Sequence, residues 1–250
     1  LERVRVGMNV PVDGGKPLGD VVGGYGVASS CLAAARAKGW DIEETTVAIQ
    51  GVGTMGGAAA WYLHQAGMKV VQVSDARGSL WSVDGRLDIP TLLEARDQYN
   101  EVDRSKVDQS VLRIDRDAIL SADVDILVPA ATSYVFTANN AAQVQAKMIV
   151  EAANAPTSSE AERVLADNGI CVIPDFVANA GAVAWAWWLL LGYVDDNPQT
   201  TFDRLDLEIG PKVESLVSAW EDQRIMPRHS AYALADKLAK QSNVQTVTIP

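Results

Sequence analysis

The 250-residue sequence predicts an α/β fold, a doubly wound and mostly parallel sheet with helices on both faces and further helices at the carboxyl end. Three observations predict it. Short apolar runs bounded by Gly, Pro or Asp recur at residues 46–50, 69–74, 125–129, 147–151 and 170–174. Helical patterns separate most of them, and the first run passes straight into a glycine-rich turn and an Ala-rich helix. Apolarity that is continuous rather than alternating means burial on both sheet faces, as in parallel strands joined by helical crossovers.

Taken in order, residues 1–24 are rich in Gly, Pro and Val without a helical period and read as an irregular opening segment. Residues 25–38 form a helix with a small-residue face (Ala28, Cys31, Leu32, Ala35) that Gly39 ends. A strand from 46, a helix over 55–66 capped by Gly67, and a second strand over 69–74 follow. Residues 78–87 read as a hairpin turning at Asp84-Gly85. The polar stretch 88–121 holds helical pieces at 89–99 and 116–120, and helices over 138–145 and 158–168 separate the last strands. Residues 177–194 are nearly uncharged. Asn179, two glycines and the lack of basic flanks favour a buried helix there over a membrane span. Its Trp185–Trp188 cluster suits core packing or the lining of a cleft between domains. No repeat or low-complexity tract occurs.

Composition narrows the function. With 48% apolar residues and a mean hydropathy near zero the chain has a real core. A net charge of −11 without any basic cluster excludes nucleic acid as an expected partner. Cys31 and Cys171 read as buried free thiols, and the start lacks a secretion signal, so a cytoplasmic protein is expected. The first residue is Leu1 rather than methionine, which suits either processing or a piece of something longer. His64 and His229 stand in no metal or triad spacing and read as structural; no metal site is expected.

The chemistry-bearing pattern is Gly51-Val52-Gly53-Thr54-Met55-Gly56, placed between a strand and a helix. Gly51 permits the sharp turn, Gly53 leaves room for a pyrophosphate, and Gly56 lets helix and strand approach. Backbone N–H groups and the helix dipole then face the phosphates. Asp75 ends the second strand 24 residues after Gly51, near the roughly 20-residue spacing of the acid that binds a ribose 2′-hydroxyl. A carboxylate there favours NAD, while Arg77 keeps NADP open. Asp75 also has the plainer reading of a turn cap. Ligands of such Rossmann-type sheets gather at the carboxyl ends of the strands. That rule singles out Ala130, Ala131 and the turn after them, whose small residues admit a flat ring. It also singles out Asn154 and Asn179, whose amides pair with ribose hydroxyls or a carboxamide.

Six ordered motifs extend the pattern: Gly24-Tyr25-Gly26-Val27, the glycine loop, Ser74-Asp75-Ala76-Arg77-Gly78, Asp125 through Ala131, Glu151-Ala152-Ala153-Asn154-Ala155-Pro156-Thr157, and Pro174 through Gly181. Together with Ala231-Tyr232 they resemble the carboxyl-terminal domain of the glutamate/leucine/phenylalanine/valine dehydrogenases, most closely the glutamate dehydrogenase branch. The resemblance implies NAD(P)-dependent oxidative deamination of an L-amino acid to a 2-oxo acid and ammonia, in a homo-oligomer that is hexameric when full length. It implies that Thr54 and Met55 help hold the pyrophosphate and that Asp75 faces the adenosine ribose. By the same resemblance the Ala130–Thr132 turn and Asn154 follow the nicotinamide ribose, and Asn179 meets the carboxamide.

The family's substrate-binding lysines and proton-shuttling aspartate belong to an amino-terminal domain ahead of these motifs. Residues 1–24 are therefore expected to link to that domain, 25–240 to bind the dinucleotide, and 241–250 to form a tail; the chain by itself contributes no catalytic residue. Several positions depart from the family. Val22-Gly23-Gly24 lacks a hydroxyl expected near the nicotinamide, Asp20 replaces a basic residue, and Ala182 replaces a glycine. The serine that meets the distal carboxylate of glutamate falls at Ala186, and the following glutamate at Leu189. A buried carboxylate without its donor costs roughly 1–3 kcal/mol, so a more apolar amino acid becomes a candidate substrate. The competing reading is a non-catalytic NAD(P)-binding or regulatory paralogue; a third is a different dinucleotide dehydrogenase or an S-adenosylmethionine enzyme.

Overall fold

The computed structural model describes residues 2–12, 15–83, 85–195 and 197–241. Its centre is a seven-stranded sheet. The parallel strands are β3 (Thr46–Gln50), β4 (Lys69–Asp75), β7 (Ile126–Pro129), β8 (Met148–Val150) and β9 (Cys171–Ile173). Two antiparallel strands, β5 (Gly78–Trp81) and β6 (Leu112–Ile114), extend one edge, giving the order β6-β5-β4-β3-β7-β8-β9. The chain runs from β3 to β4 on one side and returns to place β7 on the other. That reversal opens a crevice above the carboxyl ends of β3 and β7, where such sheets take their ligands.

The helices α2 (Leu18–Ala37), α3 (Thr54–Gln65) and α8 (Pro198–Gln223) cover one face around a core that includes Val27, Cys31, Ile49, Leu63 and Val213. A second cluster around Phe136, Leu165 and Ile149, with α5 (Ser159–Asp167), covers the other. The predicted two-faced α/β architecture is therefore present, and so are all five parallel strands.

Several elements differ from the sequence reading. The stretch 1–24 is not irregular: it carries α1 (Glu2–Met8), a small ribbon of β1 (Pro11–Val12) and β2 (Lys16–Pro17), and the first turns of α2, which starts at Leu18 rather than 25. Glycines usually weaken helices, but here they sit where helices touch. A Cβ at Gly24 would lie 2.6 Å from the Ala59 nitrogen and the Met55 oxygen of α3, and one at Gly26 would lie 3.3 Å from the Cα of Gly181. Of the helices long and apolar enough to cross a membrane, α2 is the one found among the described residues, and 78% of its apolar window is buried inside the protein.

The hairpin expected at 84–85 turns instead at Ala76-Arg77, because β5 folds back on β4; Asp84 lies outside the described residues. The piece at 89–99 is a shorter helix α4 (Ile89–Glu94), started by Asp88 as N-cap and Pro90 in its first turn. Residues 138–145 hold only a 3₁₀ turn at Ala141–Gln143. The apolar run 177–194 is broken at Asn179 into α6 (Asp175–Ala178) and α7 (Gly181–Leu191). Within α7, Trp185 is core, while Trp187 is 57% exposed. The last helix, α9 (Pro227–Gln241), contains Ala231 and Tyr232, and the expected tail beyond it lies outside the described residues. Both cysteines are free and buried, and burial pushes the Cys171 thiol up to about 12.

A methyl group at Gly56 would overlap the carbonyl oxygen of Gly51. Gly56→Ala is therefore expected to cost about 2–3 kcal/mol by overpacking against backbone that cannot yield, lowering the melting temperature by about 5–10 °C for a domain of this size. In Gly53→Ala, where nothing stands within 4 Å of the added atom, melting followed by circular dichroism should move by less than half as much.

Candidate functional site at the strand ends

The crevice at the switch point is a cleft of about 630 Å³. Its walls are the ends of β3 (Gln50 to Gly53), β4 (Ser74 to Ala76) and β7 (Ala130 to Val135), with Asn100, Glu101, Arg116 and Leu120 on the outer side. No lysine lines it. The glycine loop forms the floor. Gly51 turns with φ +91°, closely packed on Ala131, and its N–H donates to the Ser74 oxygen at 2.9 Å. Gly53 is the N-cap of α3 and no side chain caps the helix, so the first-turn N–H groups have no intrahelical partner.

The sequence-predicted residues are not all placed alike. Gly51, Gly53, Ala130, Ala131 and Thr132 line the cleft. Gly56 lies behind it as the packing contact already described. Thr54 is exposed at the start of α3, but the Met55 side chain leans away from the loop: a Cβ at Gly23 would lie 3.0 Å from its methyl group and 3.1 Å from its sulfur. The thioether thus occupies the room that Gly23 leaves. What Met55 offers the cleft is backbone.

Asn154 and Asn179, 25 residues apart in sequence, meet. Asn179 Nδ2 donates to Asn154 Oδ1 at 2.9 Å and to the Ala152 oxygen at 3.2 Å. Among the described residues no partner remains for Asn154 Nδ2 or Asn179 Oδ1, which leaves one donor and one acceptor on the joined amides, the two functions that pair with a carboxamide. The Asn154 oxygen accepts from Ser133 Oγ at 2.6 Å, and the Tyr134 N–H donates to the Ala155 oxygen at 2.9 Å, tying this loop to the turn after β7.

Asp75 lines the cleft with its side chain only 5% exposed. Its Oδ1 accepts from the Arg77 N–H at 2.8 Å and Arg104 Nη2 at 2.7 Å; its Oδ2 accepts from the Val102 N–H at 2.8 Å and from Arg104 Nη1. The four acceptor sites of a carboxylate are thereby filled by the chain itself. The turn-cap reading of Asp75 holds in part, through Arg77, and a bidentate arginine that sequence reasoning missed does the rest. Burial alone would raise the Asp75 carboxyl; the Arg104, Val102 and Arg77 hydrogen bonds outweigh it and hold it below the usual carboxylate range.

A second network sits under the Asn154 loop. Arg228 of α9 donates from Nε to Glu162 Oε2 at 2.8 Å, from Nη2 to Glu151 Oε2 at 2.9 Å, and from Nη1 to Asp175 Oδ1 at 3.4 Å. Asp175 Oδ2 in turn accepts from the N–H of Ala155 at 2.8 Å, a residue held at φ +46°. Glu151 is wholly buried, and burial raises its carboxyl despite Arg228. Its position after β8 was part of a motif, but nothing in the sequence paired it with an arginine 77 residues later.

Comparison with known proteins identifies the family. The profile of the Glutamate/Leucine/Phenylalanine/Valine dehydrogenase family matches residues 14–242. The chain belongs to this family. It is 40% identical over 183 residues to the catabolic NAD-specific glutamate dehydrogenase RocG of Bacillus subtilis, a match covering 70% of this chain and 42% of that protein. It is 36% identical over 221 residues to an NADP(+)-dependent glutamate dehydrogenase of Pyrobaculum calidifontis, covering 84% and 51%. Among solved structures it is similar to the hetero-hexameric glutamate dehydrogenase of Thermus thermophilus (TM-score 0.77, 25% identity, 95% of this chain and 55% of that one). An L-tryptophan dehydrogenase from Nostoc punctiforme shares the fold (TM-score 0.68, 22% identity, 89% and 60%). The chain spans about half the length of the curated relatives it matches.

Because its folded-state carboxyl is depressed, Asp75 contributes stability that is complete above the ordinary carboxylate value of about 4 and is lost as pH falls below it. Asp75→Asn should therefore lower the melting temperature clearly at pH 7, with the gap to wild type closing below pH 4 in thermal melts. Arg228→Met leaves buried carboxylates unpaired, and in chemical unfolding it is expected to cost about 3–5 kcal/mol.

Proposed function

We propose that this chain is the cofactor-binding domain, residues 25–240, of an NAD(P)-dependent amino-acid dehydrogenase. The reaction is oxidative deamination of glutamate or a more apolar L-amino acid to a 2-oxo acid and ammonia. The observation that carries this is the cleft with its neighbouring loop: a glycine loop with open space above Gly53, and, tied to the cleft wall through Ser133, the unpartnered amide atoms of Asn154 and Asn179. In this reading the Gly51–Gly56 loop and the backbone N–H groups of Thr54 and Met55 hold the pyrophosphate. Asp75 walls the adenosine ribose, the Ala130–Thr132 turn and Asn154 follow the nicotinamide ribose, and Asn179 holds the carboxamide. Bound there, a nicotinamide supplies the acceptor for hydride from the amino acid.

With the Asp75 oxygens already engaged, coenzyme choice falls to the side chains around them, Arg77 and Arg116, so both NAD and NADP fit this reading. Substrate handling belongs to the half of the family proteins that these residues do not span. The absence of lysine from the cleft lining supports a chain that binds cofactor but does not by itself turn over an amino acid. Cytoplasmic location and a homo-oligomer, hexameric at full length, complete the proposal.

The alternative, a paralogue that binds NAD(P) without dehydrogenase chemistry, draws on α7. Leu189 stands where the family carries a glutamate; it is 2% exposed, and a Cβ at Gly7 of α1 would lie 2.6 Å from its Cδ1. A packing residue has taken a polar position. Full-length protein that binds NADH yet deaminates no amino acid would favour this alternative.

Titration with NADH, NADPH and S-adenosylmethionine, followed by tryptophan fluorescence, tests the main reading: saturable binding of a nicotinamide dinucleotide is expected, and selective binding of S-adenosylmethionine overturns it. Asn179→Leu should weaken NADH about tenfold, the equivalent of about 1.4 kcal/mol, while leaving ADP-ribose, which lacks the carboxamide, unchanged.

A further inference from the structure

We infer that Arg96 is a positioning residue for the phosphate loop, aiming the N–H groups of Gly53 and Thr54 into the cleft and adding a positive charge behind them. This rests on the reading that the loop holds a dinucleotide pyrophosphate. Arg96 follows α4 in the polar stretch that carried no motif, and its half-buried guanidinium reaches back 44 residues to the glycine loop. Nη1 donates to the Val52 oxygen and, at 3.4 Å, to the Gly53 oxygen, while Nε donates to the Leu93 oxygen at 3.1 Å. Gly57 makes the approach possible: a Cβ there would lie 2.5 Å from Nη1.

The consequence follows from peptide geometry. In a planar trans peptide the C=O and the next N–H point in opposite directions. Drawing the Val52 and Gly53 carbonyls toward Arg96 turns the Gly53 and Thr54 N–H groups the other way. Arg96 lines a small cavity with Thr54 and Asp20, whereas Gly51, Val52 and Gly53 line the large cleft, and Asn100 borders both. Gly53, without a side chain and with nothing within 4 Å of a Cβ, has no other side-chain anchor in this arrangement.

The charge matters as much as the aim. Every hydrogen-bond acceptor of Arg96 is a neutral carbonyl, and among the described residues no carboxylate lies within 4.0 Å of it. Burial lowers its pKa with no carboxylate to offset the loss, yet arginine stays protonated in proteins. An uncompensated cation here costs desolvation unless an anion arrives, and it adds to the positive end of α3. Elsewhere in this chain the well-buried guanidinium groups face carboxylates, as Arg104 faces Asp75 and Arg228 faces Glu151.

The test compares NADH and ADP-ribose, which carry the pyrophosphate, with adenosine, which does not, by tryptophan-fluorescence titration of wild type, Arg96→Gln and Arg96→Lys across a salt series. Arg96→Gln should weaken NADH and ADP-ribose about tenfold or more, leave adenosine unchanged, and flatten the loss of affinity with added salt. Arg96→Lys keeps the charge but not the two-carbonyl fork, so it should retain the salt dependence with a smaller loss. Equal weakening of adenosine and NADH, or unchanged NADH binding in Arg96→Gln, overturns the inference while leaving the cofactor reading intact. Should Arg96→Gln not fold, the same comparison in Arg96→Lys decides. Wild type that binds none of the three overturns the cofactor reading and this inference with it.

Discussion

The contact between Gly56 at the start of α3 and the carbonyl of Gly51 at the end of β3 is the constraint from which the rest of the site follows. No side chain fits between them. Because α3 can come this close to the strand end, its first turn stands over the crevice rather than beside it. The same logic repeats one layer out, where Gly24 brings α2 against α3 and Gly26 meets Gly181 of α7. A stack of close helix contacts, each made by removing side chains, aims the amino end of α3 at the switch point. Protein interiors transmit such constraints because they are close-packed.

Two arginines then hold the two halves of the dinucleotide fingerprint. Arg96 grips the carbonyls of the glycine loop and Arg104 grips Asp75 with both nitrogens of its fork. Both come from the segment between α4 and β6, whose backbone is closed on itself by the Arg96–Val102 bridge. A third arginine, Arg228, performs a similar task under the Asn154 loop, gathering Glu151, Glu162 and Asp175. The strand-end floor of the cleft is made of small residues such as Gly51, Gly53, Ala130 and Ala131, while Asp75, Glu101, Arg116 and Asp117 stand on its outer wall.

Much of this was legible in the residues. The five parallel strands, the glycine loop, the Ala130–Thr132 turn and the pair Asn154 and Asn179 all follow from strand ends and spacing. The family motifs add their order. Less legible were the elements whose local signal is misleading. Glycines hid the first turns of α2, since glycine disfavours an isolated helix and favours a packed one. The short β6 and the arginine partners were hidden too, because no sequence rule links Arg96 to Val52 or Arg228 to Glu151. Asp75 is the instructive case. Its spacing identified a carboxylate at the right strand end, but spacing says nothing about which donors already surround it.

By itself, then, the sequence determined the fold class, the position of the crevice and the residue types around it, because periodicity, turn chemistry and strand-end placement are local properties of the chain. Only the tertiary structure decided what those groups are free to do. It filled the oxygens of Asp75, turned Met55 away into the space at Gly23, joined Asn154 to Asn179, and set Arg96 against the carbonyls of the glycine loop. The reason is physical: whether a polar group binds a ligand or a neighbour depends on the donors and acceptors within about 3 Å of it, and those come from residues tens of positions away in the chain.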